Sequence, residues 1–244
     1  MKILYNRKYF SVSIVGILCL LVYFIGLGSN GLWDLDEGLY ANVAREMSVS
    51  GNYVEPRVNA LPFYEKPPLI YWTAAAFFKI LGRSEFTTRL PSALASTIVA
   101  FLILSLGTKL FGKKSGLLGT CLFVLCPLSF GTARQLTTDA TLNLWIFCAI
   151  CSFIVLEILP DTRKSIWRGG FWFSCAMGVL AKGLPGILIP VTVVVISSLI
   201  RTKYDIRKTL GICMNLQPLL GVPLFLAVAV PWHVIAYQVS GAAF

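Results

Sequence analysis

The chain has 244 residues, of which 57% are hydrophobic and only 13% charged, with a formal charge of +10 and a mean hydropathy of +0.76. A water-soluble domain carries about a quarter charged residues, so a wholly soluble protein is excluded. No basic, aromatic-interleaved soluble module is present, so the charge does not mark a nucleic-acid partner.

In chain order, uncharged runs cover Tyr9–Trp33, Leu90–Thr108, Ser115–Ala133, Ala140–Leu156, Gly183–Ile200 and Thr209–Trp232. Each approaches or exceeds the ~17–20 residues that cross a bilayer core. Gly169–Ala181 is shorter, but Arg168 and Lys182 can snorkel outward at its ends. These runs predict an all-α integral membrane protein, a polytopic helical bundle. About seven transmembrane helices are expected, near 9–27, 89–108, 115–133, 140–158, 168–182, 184–200 and 210–232. The first is too long, and too poor in a small-residue cleavage pattern, for a removable signal peptide.

With the N-terminus inside, 13 of the 21 basic residues and three of the 11 acids fall at inner ends, a sum of +10. The outer ends hold eight of each sign. This follows the positive-inside rule, so the basic character is a topology signal. The outer acids are Asp34, Asp36, Glu37, Glu46, Glu55, Glu65, Glu85 and Asp139. The seven cysteines all lie within expected spans, where they read as small apolar fillers, Cys148-x-x-Cys151 included; no disulfide framework is implied.

The outer loop, 28–88, carries its own structure. Asp34 and Glu37 have capping-box spacing. Leu39, Val43 and Met47 then share a face, with Tyr40 and Ala44 beside them. Ser50-Gly51 is a stop signal, so Asp36–Ser50 is predicted as an amphipathic juxtamembrane helix lying along the membrane surface. A second helix is predicted from Pro67-Pro68 through LIYWTAAAFFKI to Leu81-Gly82. Glu65-Lys66 therefore stands just before a helix N-terminus, a position that attracts anions. Two readings stay open there: an anion site at the membrane surface, or an exposed ion pair of ~0–1 kcal/mol. Trp33, Tyr64, Trp72 and Trp232 read as an interfacial belt.

Three blocks are more specific: LWDLDEGLYANVAREM (32–47), GNYVEPRVNALPFYEKPPLIYW (51–72) and ARQLTTDA (133–140). In this order and spacing they resemble the N-terminal half of the ArnT-like branch of the protein O-mannosyltransferase superfamily, membrane glycosyltransferases of the GT-C fold. The resemblance implies a bacterial inner-membrane enzyme with a cytoplasmic N-terminus and a periplasmic site. It would transfer a sugar from a polyprenyl-phosphate donor, with inversion, to lipid A, another envelope glycan or a protein. No nucleotide is needed, because the donor ester supplies the energy. The resemblance makes Asp36 the general base, with Glu37 beside it among the catalytic carboxylates. It places Asp139 opposite Asp36, orienting acceptor or donor. Lys66 would bind the donor phosphate; Arg134 would anchor the loop before Asp139 and lend positive charge. Glu65 and His233 match positions that can hold a divalent metal, zinc, magnesium or manganese, although two ligands undersupply such a site.

The pattern departs from the family in two places. Gly38-Leu39 stands where a basic residue is usual after the Asp-Glu pair. A full-length member would also continue well past Phe244, so this chain alone is expected to be inactive. The alternative reading is a polyprenyl-lipid binding protein or a transporter without chemistry. A transporter places ionisable residues at mid-membrane, and these spans hold almost none.

Overall fold

The structure, a computed structural model, describes residues 2–33, 35–158 and 164–241. Asp34, and the Asp161 and Arg163 counted toward the inner charge, lie outside the described residues. The chain divides into two compact units: 1–51 with 70–144, and 52–69 with 145–244.

The first unit opens with α1 (Lys2–Cys19), closed by a π-turn (Leu20–Phe24). The juxtamembrane helix α2 (Asp36–Ser50) has its predicted bounds. It buries Tyr40, Val43, Ala44 and Met47 on one face, and Gly51 ends it in a left-handed conformation (φ 71). α3 (Leu69–Leu81) starts directly after Pro67-Pro68 and stops at Gly82 (φ 82). Tyr71 of α3 meets Tyr40 of α2 edge-on, with ring centroids 5.8 Å apart.

α4 (Glu85–Phe111) begins four residues before the expected span. Ser84 and Thr87 form a reciprocal cap there, with bonds of 3.2 and 2.9 Å, and so satisfy two end donors. The expected span 115–133 is broken. α5 (Lys113–Leu125) and α6 (Pro127–Ala133) meet at 63°, because Pro127 has no N–H to continue the ladder. α4 and α5 pack closely through Gly107 and Gly116, where an added Cβ would strike backbone. α7 (Thr138–Ile158) starts in this unit and continues into the second.

In the second unit, α8 (Lys164–Lys182) and α9 (Pro185–Arg201) are joined by Gly183 (φ 80) and pack through Gly178 and Gly186. The expected last span, 210–232, is corrected. The charge-free run contains a break at Asn215–Gln217, with α10 (Ile206–Met214) before it and α11 (Pro218–Ser240) after it. The break is held by side chains the run did not reveal. Trp172 donates to Leu216 O at 2.9 Å, and Arg168 donates to Asn215 O and Oδ1 at 2.7 and 2.8 Å.

A two-stranded hairpin, β1 (Arg57–Val58) and β2 (Leu61–Pro62), was not expected. Its turn residues Asn59 and Ala60 both have positive φ (52 and 65), as a type I′ turn requires. Among the described residues, α4, α7 and α11 are long and apolar enough to cross a membrane. The bent α5–α6 pair makes a fourth if taken as one span. α1 with its π-turn, α8 and α9 lie at the other expected positions and are not among the helices long and apolar enough to cross.

Candidate functional site

The loop between α1 and α2 has no regular structure to satisfy its backbone carbonyls. Two arginines from distant helices do so. The Arg89 guanidinium on α4 donates to Leu27 O (2.8 Å), Asn30 O (3.0 Å) and Gly31 O (2.8 Å). Arg134, ending α6, donates to Val22 O (3.1 Å), Ile25 O (2.8 Å) and Gly26 O (2.9 Å), and lies 5.2 Å from the Phe130 ring. Both thereby cap the carbonyl end of the first helix and its exit.

Arg89 is 3% exposed and faces one carboxylate, Glu37, which is 2% exposed. Glu37 Oε1 accepts from Arg89 Nε (2.9 Å) and from the Leu136 backbone N–H (3.0 Å). Its Oε2 accepts from Arg89 Nη2 and the Trp33 backbone N–H, both at 2.9 Å. Burial pushes the Glu37 carboxyl up. The bonds from Arg89, Trp33 and Leu136, with the Arg89 charge, outweigh burial and hold it below the usual carboxylate range.

This geometry gives Glu37 a holding role in place of the catalytic one expected: four donors surround it and solvent scarcely reaches it. It also differs from the capping box expected with Asp34. Leu35 occupies the N-cap position, at φ 67 and without a side-chain cap, and Glu37 reaches back to Trp33. Glu37 joins the start of α2 to the segment leading into α7.

The two exposed carboxylates follow from that join. Asp36 precedes Glu37 in the first turn of α2, and Asp139 lies three residues beyond Leu136 in the first turn of α7. Each sits at a helix N-terminus, where the dipole favours negative charge. Arg134 ties the end of α6 to the exit of the first helix, where three carbonyls engage its guanidinium.

In the second unit, Lys66 Nζ pairs with Glu65 Oε1 at 2.8 Å, the side chains being 27% and 49% exposed. The neighbour ion pair is therefore the arrangement present, just ahead of α3. His233 Nδ1 lies 2.7 Å from Ala229 O. A carbonyl only accepts, so Nδ1 carries the proton. Trp232 packs edge-on against His233 and donates to Val54 O at 2.9 Å. This buried indole holds the 52–69 segment.

Tyr64 and Ser240 share a short hydroxyl hydrogen bond, and Ser240 Oγ donates to the buried Glu55 at 3.2 Å. Glu55 also pairs with Arg57, whose Nε is 2.7 Å away. Sequence reasoning missed Arg89, Glu55 and Ser240, because each is defined by a partner far along the chain.

The expected metal site does not fit these residues. Glu65 is paired with an ammonium, which repels a cation. Among the described residues, no three His, Cys, Asp or Glu side chains gather as a metal centre needs.

Helices long enough to span a bilayer, with two helices in the first long loop, make this a polytopic helical membrane protein, and its match to solved structures gives it the GT-C fold. The structure matches crystal structures of ArnT from Cupriavidus metallidurans, apo and bound to undecaprenyl phosphate. Both matches have a TM-score of 0.84 and 27% identity, and the apo match covers 96% of this chain and 43% of that one. The chain belongs to the dolichyl-phosphate-mannose-protein mannosyltransferase family, whose model matches residues 65–235. It is similar to the undecaprenyl phosphate-alpha-4-amino-4-deoxy-L-arabinose arabinosyl transferases of Erwinia tasmaniensis and Pectobacterium carotovorum. Identity is 31% over 72% of the chain for the first, and 26% over 91% for the second. The chain spans 32% and 41% of those two relatives' lengths.

Proposed function

We propose that this chain forms part of a bacterial inner-membrane glycosyltransferase that takes its sugar from an undecaprenyl-phosphate-type lipid. The acceptor is a hydroxyl of lipid A or another envelope glycan or protein, and the site faces the periplasm, with the N-terminus in the cytoplasm. The similarity to arabinosyl transferases named for undecaprenyl-phosphate sugars, and to an ArnT structure bound to undecaprenyl phosphate, supports the donor class.

The observation that carries the reading is the division of labour between adjacent carboxylates. Glu37 is sealed by four donors, while Asp36 beside it is exposed. In the proposed reaction, Asp36 takes the proton of the acceptor hydroxyl. The hydroxyl oxygen bonds to the anomeric carbon from the face opposite the phosphate. The bond from that carbon to the phosphate oxygen breaks, and the electron pair leaves with the polyprenyl phosphate. Lys66 turns from Glu65 to the phosphate and stabilises that charge. Asp139 orients a substrate hydroxyl, and Arg134 keeps the α6–α7 segment in place.

The test is turnover in Asp36→Asn, Lys66→Ala and Asp139→Asn variants of the complete gene product. Each is expected to lose far more than threefold. All three staying within threefold of wild type, about 0.7 kcal/mol in the barrier, would remove these roles.

A further inference from the structure

The second unit carries a polar corner at the end opposite its hairpin. The hairpin segment contacts the C-terminal end of α11, through Ser240 and Trp232. The corner forms where α7 finishes, α9 stops at Arg201, and the chain turns through 202–205 into α10. Lys203 and Tyr204 both take left-handed backbone, φ 55 and 66, so the reversal takes only a few residues. Asp205 then caps α10, accepting from Lys208 N at 3.1 Å, and Thr202 and Thr209 share a hydroxyl hydrogen bond of 2.8 Å. Arg201, Lys203 and Lys208 line the resulting open groove of about 850 Å³, with Glu157 and Asn215 at its inner wall.

The groove is cationic. Among the described residues its one lining acid, Glu157, is held by Arg201 Nη2 (2.6 Å) and Asn215 Nδ2 (3.3 Å). Lys203 and Lys208 line it as well; Lys208 Nζ is paired with Asp205 Oδ2 at 3.2 Å, an exposed ion pair that an incoming anion can exchange. Within 201–208, four basic residues face a single acid.

A second feature is independent of charge. Along α10, Ile206, Leu210 and Met214 recur every four residues, and each is more than half exposed. Tyr204 is exposed ahead of them, while Thr209, on another face, is buried. An exposed apolar stripe bordered by cations is the pattern of a helix seated between headgroups and acyl chains. Its place fits that depth, because α11, long and apolar enough to cross the membrane, begins four residues after α10 ends.

We propose that this corner is a binding site for a phospholipid with a net-negative headgroup. The phosphate lies between Lys203 and Lys208, and the acyl chains lie over Ile206, Leu210 and Met214. The site is separate from the proposed transfer chemistry and stands whether or not that chemistry does.

The test is native mass spectrometry of the complete gene product in nonionic detergent, titrated with phosphatidylglycerol and with phosphatidylcholine. A cation at an anionic lipid surface is worth about fivefold in affinity, so Lys203→Gln with Lys208→Gln should weaken phosphatidylglycerol binding about 25-fold. Lys109→Gln with Lys113→Gln, in the other unit, should leave it unchanged. A wild-type measurement covers the case in which the double variant does not fold: added sodium chloride should weaken phosphatidylglycerol binding and spare phosphatidylcholine. Equal affinity for the two lipids, or undiminished binding by the double variant, overturns the proposal. So does full displacement of phosphatidylglycerol by millimolar inorganic phosphate, which would assign the groove to a soluble anion.

Discussion

Replacing Glu37 by glutamine separates a holding role from a catalytic one. The shape is kept, but the charge and one acceptor oxygen are lost. Four donors converge on the carboxylate: Arg89 Nε and Nη2, and the N–H groups of Trp33 and Leu136. A glutamine amide presents N–H to two of them, leaving donor against donor in a closed space. The Arg89 charge stays buried with only carbonyl partners. Removing one member of a buried pair costs about 3–5 kcal/mol, and a buried unmet donor about 1–3 kcal/mol. The overlapping terms put the loss near 3–5 kcal/mol. Equilibrium unfolding in mixed micelles reads it, and turnover is measured on the same preparation. A cycle with Arg89→Met should return part of the loss, because the double variant leaves no buried charge. A Glu37→Gln protein as stable as wild type, yet without turnover, would refute this and return Glu37 to the catalytic group.

Three further outcomes follow from particular contacts. Gly186→Ala should destabilise by at least the ~1–3 kcal/mol typical of overpacking, because its Cβ would meet the Gly178–Val179 backbone of α8; a thermal melt in detergent reads this. Trp172→Phe should cost about 1–3 kcal/mol by orphaning Leu216 O, with faster hydrogen exchange in 214–218. The pH dependence also has a defined sign. The Glu37 carboxyl titrates lower folded than unfolded, so its stabilisation is full above the unfolded value of about 4.3 and is lost as pH falls through the folded one. Melting curves from pH 7 to 3 should fall on the acid side, and Glu37→Gln should flatten that fall.

The helical membrane character was legible, because apolar run length is a local property of the sequence. So were α2 and α3, where a Gly stop, a Pro-Pro start and a 3.6-residue pattern coincide. The breaks were harder to read. Pro127 offered a signal for the α5–α6 bend, but the α10–α11 break depends on Arg168 and Trp172, more than forty residues away. The hairpin turn uses Ala60 at positive φ, a residue type with no preference for it. At the site, the blocks around Asp36, Lys66 and Asp139 stood out by resemblance. The work of Glu37 could not be read without Arg89, which sits 52 positions away at the head of an apolar run. The contact between Glu65 and Lys66 was legible from their adjacency.

The central claim is that the chain serves sugar transfer from a polyprenyl phosphate with Lys66 on the phosphate. The most direct measurement gives membranes carrying the complete gene product, or its Lys66→Ala variant, a mixture of polyprenyl-phosphate sugars and follows each by mass spectrometry. The account predicts that wild type consumes one sugar-lipid and that the variant consumes it at least about tenfold more slowly, a barrier difference of ~1.4 kcal/mol. Equal consumption by both would contradict the role of Lys66. No consumption by either, with a polyprenyl lipid co-purifying with wild type alone, would make the protein a lipid binder and contradict the transfer itself.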